Sequence, residues 1–234
     1  MGFYYYNWNY FIFMLPALIL TLWAQASVKS TFSRYSNVRN AQGLTGANAA
    51  ATVLRNNGIT NVCLEHVRGN LTDHFDPRSS VIRLSDSVYD VASVAAVGVA
   101  AHEAGHAVQH AVGYGPMKLR AAVIPVARIG SQLAMPMIIL GMLLPVQFDF
   151  IVTAGIILYS MAVFFELVTL PVEFNASSRA LAAIAESGML SQEELAGAKH
   201  VLRAAAMTYL ASAFTAVLSL LRLLMIFGRR NNNR

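Results

Sequence analysis

The sequence is poor in charged residues and almost devoid of cysteine. Only 12% of its 234 residues are charged, whereas 56% are hydrophobic. Soluble domains carry about 25% charged residues, so this composition argues against a soluble protein and indicates one embedded in a lipid bilayer. The single cysteine, Cys63, excludes an internal disulfide and a zinc site built on cysteines. The basic residues behind the net charge of +5 are scattered and often flank apolar segments, so nucleic acid is not an expected partner.

Four apolar segments are long enough to cross a bilayer. The predicted transmembrane spans are residues 8–26, 129–146, 148–170 and 204–227. The first residues lack Lys and Arg, so we expect no cleavable signal peptide. The polar stretches 27–128 and 171–203 should lie outside the bilayer, and the tail 228–234 should be disordered.

One motif stands in the alanine- and valine-rich stretch 88–112, which we expect to form a helix. His102, Glu103 and His106 follow the pattern His-Glu-x-x-His. Residues four apart lie on the same face of a helix, so both imidazoles can bind one tetrahedral metal ion, most often zinc. Glu103 is then placed to take a proton from water at that metal, and Gly105 leaves room for a second backbone or a substrate.

A catalytic zinc usually takes three protein ligands, so one more must come from elsewhere. His110 follows His106 by one turn, but ligands on three successive turns of a straight helix are too far apart for one ion. We expect His110 to support the site or to lie on the surface. Glu173, after the third predicted span, is the preferred ligand because two membrane hairpins return the chain to the same side. Glu166, two turns earlier within an apolar span, is the alternative.

Local signals predict the remaining helices. Thr45 should cap a helix that ends at Gly58. Pro171 should begin a polar helix at the end of the third span, and Ser191 with Glu194 forms a capping box for another.

Two strands are expected before the metal helix. Residues 61–67 alternate in polarity like a short strand, and residues 81–84 should form a second strand that pairs with it as a small β-hairpin. Pro77 cannot donate a ladder hydrogen bond, so this hairpin should be irregular or lie at an edge. The expected caps of the following metal helix are Ser85, Asp86 or Ser87.

Three segments in order resemble the bacterial membrane-bound neutral zinc metallopeptidases, the YugP-like family. They are residues 71–78 (Leu-Thr-Asp-His-Phe-Asp-Pro-Arg), 102–106 (His-Glu-Ala-Gly-His) and 170–177 (Leu-Pro-Val-Glu-Phe-Asn-Ala-Ser). The resemblance covers essentially the whole chain. A more distant similarity to the HtpX-type and CAAX-prenyl-protease membrane gluzincins implies a Glu-x-x-x-Asp motif whose Glu is the third zinc ligand.

The resemblance assigns roles to individual residues. The motif's Glu corresponds to Glu173, and its Asp, which supports a zinc-bound histidine in those relatives, is replaced here by Ser177. His74 and Arg179 are implied to stabilise the transition state or to support the ligands. The strand before the metal helix is implied to be an edge that pairs with an extended substrate through Val81, Ile82, Arg83 and Leu84.

The predicted fold is mainly α-helical and membrane-embedded. About four transmembrane helices carry an extramembrane catalytic domain of the zincin, gluzincin-like type, with the metal helix and a small β-hairpin. The predicted function is a zinc endopeptidase that uses one zinc ion and acts on peptides or membrane proteins. The alternative is a non-catalytic membrane scaffold or chaperone-like protein with a structural zinc, but such a site needs no general base such as Glu103.

The expected location is the bacterial plasma membrane, which the chain crosses several times. Basic residues favour the cytoplasmic side of a membrane, and more of them flank the catalytic side than the other. This count predicts a cytoplasmic catalytic domain. The basic residues that flank the catalytic side are Lys29, Arg34, Arg39, Lys118, Arg120, Lys199 and Arg203, and those on the other side are Arg229, Arg230 and Arg234.

Overall fold

The computed structural model describes the backbone of residues 2–232 and the side chains of residues 11–228. Over this range the chain is mainly helical, as predicted. Three short strands and a single 3-10 turn, Val146–Phe148, complete it. The helices are α1 (Gly2–Ser36), α2 (Gly46–Asn56), α3 (Val94–Ala111), α4 (Gly115–Leu143), α5 (Asp149–Glu186) and α6 (Gln192–Asn232).

Four stretches are long and apolar enough to cross a membrane. They are Phe11–Ser36, Gly115–Leu143, Val146–Glu186 and Gln192–Gly228. The helices are longer than the predicted spans because they continue into polar sequence, so α4 already begins within the predicted extramembrane stretch 27–128.

Pro171 does not begin a helix, contrary to the prediction. It lies inside α5, which runs without interruption from Asp149 to Glu186. Proline inside a membrane-protein helix is tolerated where neighbouring groups satisfy the freed carbonyl. Of the predicted disordered tail, 228–234, the backbone to Asn232 continues α6, and the side chains beyond Gly228 lie outside the described residues.

The short helix signals are confirmed. The Thr45 side chain accepts a hydrogen bond from the Asn48 N–H, and Gly58 adopts a φ of +68° just after α2. At the start of α6, the Ser191 N–H donates to the Glu194 carboxylate at 2.8 Å and the Glu194 N–H donates to the Ser191 hydroxyl at 3.3 Å. This reciprocal pair is the predicted capping box.

The metal helix begins later than the predicted residue 88. Helix α3 starts at Val94, and its cap is Ser93, whose hydroxyl accepts the Ala96 N–H at 3.1 Å. The predicted caps are wrong because residues after β3 form a tight turn, in which the Val88 and Tyr89 N–H groups both donate to one carbonyl, that of Ser85.

The three strands form one sheet in the order β1-β3-β2. Strand β1 (Cys63–Val67) runs parallel to β3 (Val81–Ser85), whereas β2 (His74–Asp76) runs antiparallel to β3. The predicted hairpin between residues 61–67 and 81–84 is therefore wrong. The chain reverses at β2, and the hairpin joins β2 to β3.

Strand β3 is the central strand, so it is not the predicted substrate edge. Its backbone pairs with β1 on one side and with β2 on the other. A further peptide cannot add to a strand whose two sides are already paired. The correction applies to all four proposed edge residues. Val81, Ile82 and Arg83 are paired on both sides, and Leu84, which pairs with β1 and lies beyond the end of β2, is buried in the core. The Arg83 side chain also pairs with Glu65.

The contacts divide the chain into two units. The compact unit comprises Ala24–Met117 and Pro171–Met207. Its core is built around α3, whose apolar side chains are mostly small and almost all buried. Small side chains let helices approach closely, as where Gly98 faces Ala198.

The membrane unit comprises Met1–Trp23, Lys118–Leu170 and Thr208–Arg234. Within it, α4 and α5 approach closely at glycines: a Cβ placed on Gly130 would lie 2.4 Å from the Leu158 carbonyl oxygen. Many large apolar side chains of this unit point outward instead, including Ile19, Ile139, Phe150 and Ile157. Contiguous exposed apolar surface of this kind suits lipid.

Candidate active site

Helix α3 carries both histidines of the motif through the middle of the compact unit. His106 and Glu103 are buried, and His102 is largely buried. The helix is placed so deeply because the residues around the motif are alanine, glycine and valine, which pack without bulk. The two imidazoles lie one turn apart, with ring centroids separated by 4.7 Å.

Helix α5 brings Glu173 to these imidazoles. One carboxylate oxygen, Oε2, lies 3.3 Å from His102 Nε2 and 3.5 Å from His106 Nε2. Among the described residues, these three side chains form a group whose ligand atoms all lie within 4.8 Å of one another. Glu173, the preferred third ligand, therefore joins the two histidines, and the alternative, Glu166, is not part of the group.

The other edge of each imidazole is held by an uncharged side chain. His102 Nδ1 lies 3.1 Å from the Ser177 hydroxyl, and His106 Nδ1 lies 3.0 Å from the Gln109 side-chain oxygen. A hydrogen bond at Nδ1 orients the ring and leaves Nε2 available as a ligand. Ser177 therefore lies beside His102, in the supporting role for which the distant resemblance implied an Asp.

Gln109 extends this support to α5. Its amide nitrogen donates to the Val172 carbonyl at 2.8 Å and to the Asn175 side-chain oxygen at 3.0 Å, and Arg179 Nε donates to the same oxygen at 2.8 Å. Gln109 and Asn175 were not predicted. The signal for Gln109 was its position three residues after His106 on the same helix face.

Gly105 allows the two helices to approach within the site. A Cβ at this position would lie 2.7 Å from the Ala176 carbonyl oxygen of α5, closer than such atoms pack. Gly105 was expected to leave room for a second backbone or for a substrate, and the backbone of α5 occupies that space. Since Ala176 lies between Glu173 and Ser177, the same approach brings both side chains to the histidines.

Comparison with known proteins agrees with this arrangement. The family described as "Putative neutral zinc metallopeptidase" matches residues 10–228. The chain belongs to this family. It is also 48% identical to the "Putative membrane protease YugP" of Bacillus subtilis (strain 168) over 225 residues, which is 95% of this chain and 99% of that protein. No solved structure gave a significant match.

Zinc, the metal in the family's description, fits the donor atoms present. Two imidazole nitrogens and one carboxylate oxygen form the His2Glu set found in one class of catalytic zinc sites. Both nitrogens face the same carboxylate oxygen, and both rings are oriented through their far edges. The three side chains could therefore hold one ion while both rings keep their Nδ1 hydrogen bonds to Ser177 and Gln109.

The electrostatics of the cluster favour positive charge. Burial alone lowers the pKa of His106, because it disfavours the charged imidazolium. Hydrogen bonding to Glu173 and the negative charges of Glu103 and Glu173 act in the opposite direction and leave the pKa of His106 raised. Glu103 is thus close enough to the cluster for its charge to act there.

Three other predicted site residues, His74, His110 and Arg179, have contacts with residues outside the group of three candidate ligands. His74 is exposed on β2, and its Nδ1 lies 2.9 Å from the Thr72 carbonyl. His110 is exposed near the end of α3 and has its ring centroid 5.9 Å from that of Phe75. Arg179 is linked to the candidate ligand His106 through Asn175 and Gln109.

Proposed function

We propose that this protein is an integral-membrane zinc endopeptidase. In this proposal His102, His106 and Glu173 hold one zinc ion, and Glu103 is the general base. The supporting observation is that both histidines present Nε2 to one carboxylate oxygen while Ser177 and Gln109 hold their opposite edges. Structural zinc sites are usually closed by four protein ligands, so a group of three among the described residues favours a catalytic site.

Each side chain has a distinct task in peptide hydrolysis. A zinc ion bound here supplies a Lewis acid, which polarises the scissile carbonyl and makes water more acidic. Glu103 accepts a proton from the attacking water while the water oxygen bonds to the carbonyl carbon. Glu103 then delivers that proton to the amine that leaves when the C–N bond breaks. Ser177 and Gln109 keep the imidazoles oriented throughout.

The substitution Glu103→Gln tests the role of the base. It should leave zinc content unchanged, because Glu103 is not among the ligands, and lower kcat by about 10²–10⁴-fold. Purified protein would be assayed for zinc by elemental analysis and for cleavage of a peptide library. Undiminished hydrolysis by the variant would disprove the mechanism, and zinc binding without hydrolysis by the wild type would favour the scaffold alternative.

We further propose that the protein resides in the bacterial plasma membrane, with its compact unit in the cytoplasm, and that it cleaves membrane or membrane-proximal proteins. The support is the excess of basic residues on the compact unit's flanks. Cys63, which is exposed in this unit, provides a reporter. A membrane-impermeant maleimide should label it only after cells are permeabilised. Labelling in intact cells would place the unit outside.

The matched control is Val146→Cys in a Cys63→Ser background. Val146 is exposed in the short link between α4 and α5. Two successive spans joined by so short a link form a hairpin, so this position should lie on the opposite side and label in intact cells.

A further inference from the structure

A pocket of about 690 Å³ lies in the compact unit beside the candidate active site. On α5 its wall includes Phe174, Ser177 and Leu181, which recur at helical spacing on one face. On α6 it includes Leu202, and the wall is mostly apolar. A pocket of this size and lining suits a large apolar side chain. We call it the Ser177 pocket.

One residue joins this pocket to the candidate zinc ligands. The Ser177 hydroxyl lies 3.1 Å from Nδ1 of His102, and Nε2 of the same ring lies 3.3 Å from the Glu173 carboxylate. The imidazole of His102 therefore separates the pocket from the ligand cluster. An extended peptide advances about 3.3 Å per residue, so a chain cleaved at the cluster reaches the pocket within a few residues.

The α6 side of the pocket carries two positive charges. Lys199 and Arg203 are both exposed and lie one helical turn apart, where like charges repel. Within the part of the chain whose side chains are described, no ion pair engages either of them. An anionic group bound between them would relieve this repulsion.

We propose that the Ser177 pocket selects the substrate. It receives a large apolar side chain near the scissile bond, while Lys199 and Arg203 pair with a carboxylate of the same peptide. This inference rests on the proposed peptidase function and narrows its substrates to segments in which an apolar residue lies next to Asp or Glu. A peptide is favoured over an anionic lipid because Ser177, on the pocket wall, contacts His102 of the ligand cluster.

The test measures a preference between matched peptides. Full-length, zinc-loaded protein in nanodiscs would be given pairs of peptides. The two peptides of a pair both carry a leucine near the cleaved bond and differ only in the residue beside it, which is Glu in one and Lys in the other. The wild type should favour the Glu peptide by about three- to tenfold in kcat/KM, as expected for two exposed charges. The double variant Lys199→Glu/Arg203→Glu should reverse the order.

Arg55→Glu is the matched control, because Arg55 is exposed on α2 and does not line the pocket. It should keep the wild-type preference. A ratio between two peptides does not depend on the active fraction, so partial misfolding of a variant cannot imitate the result. Equal preference in the wild type and the double variant would overturn the inference. It would also be overturned if Lys199 and Arg203 were needed for binding to phosphatidylglycerol vesicles but had no effect on the choice between peptides.

A second variant tests the apolar part. Ser178 is exposed on the pocket wall, so Ser178→Phe should fill the space and shift the preference from leucine to alanine at that position. An unchanged preference would contradict the assignment.

A binding measurement separates failure of this inference from failure of the proposed function. If the wild type cleaves no peptide, the proposed function fails. Fluorescence anisotropy with the zinc-loaded Glu103→Gln protein still tests the pocket, since binding should favour the Glu peptide and reverse with the two charge substitutions. Binding that ignores peptide charge would overturn the pocket assignment alone.

Discussion

Helices α3 and α4 are similarly apolar, yet they use their apolar residues in opposite ways. In α3 nearly every residue from Val94 to Gln109 is buried, and most are alanine, glycine or valine. In α4 large residues such as Ile129, Leu133 and Ile139 are exposed. Small side chains bring backbones together and build a site, whereas large outward side chains provide a surface for lipid. The size of the apolar residues, more than their number, distinguishes the two units.

The largest effect should separate two carboxylates of α5, one in each unit. Glu173→Ala removes the proposed third ligand and should reduce bound zinc to background, whereas Glu166→Ala should leave it unchanged, since Glu166 instead attracts Arg120 within the membrane unit. Elemental analysis of both purified variants measures this. Equal zinc content in the two would refute the ligand assignment.

The next effect concerns two glycines of α3. In Gly105→Ala the new Cβ meets the Ala176 carbonyl oxygen at 2.7 Å, so α3 and α5 must separate; overpacking of this kind costs about 1–3 kcal/mol. Zinc affinity should fall as well, because Glu173 moves with α5. Thermal unfolding and competition with a zinc chelator measure the two changes.

Gly98→Ala on the same helix is the control. Its new Cβ lies 3.4 Å from the nearest atom, the Cβ of Ala198, and alanine favours helix by about 1 kcal/mol over glycine. Stability should therefore be kept or slightly raised. Similar losses at both glycines would show that the close approach at Gly105 has no special role.

The smallest effect should distinguish buried from outward apolar side chains. Val97→Ser replaces a side chain that is 0% exposed in the compact core and should cost about 2 kcal/mol. Ile139→Ser alters a side chain that is 54% exposed and should change unfolding in detergent by less than about 0.5 kcal/mol. A larger loss of thermal stability for Ile139→Ser than for Val97→Ser would contradict the contrast drawn between the two helices.

The sequence was sufficient for contacts within one helix and for strong caps. The spacing of His102 and His106 identified two of the three side chains that form the candidate metal site, and Ser191 with Glu194 identified the start of α6. Glu173 could be placed because hydrophobic spans fix the side to which a chain returns. In each case the physical cause lies within a few residues or in the length of a span.

What could not be predicted depends on pairing between distant segments. Strand β2 has only three residues, too few for an alternation signal, so the sequence does not show the strand that pairs with the second side of β3. The role of Gln109 depends on Val172 and Asn175, which only the packing of α5 brings near. Lys118 and Arg120 obscured the start of α4, because a helix entering a membrane can begin with polar residues.

The partners of the two imidazoles have a consequence for acid tolerance. A serine hydroxyl and a glutamine amide do not titrate in the physiological range, in contrast to the Asp that the distant resemblance to membrane gluzincins implies at the position of Ser177. Acidification therefore cannot protonate the groups that hold Nδ1 of His102 and His106. A fall in pH would therefore leave the side chains that orient the two rings in the same charge state.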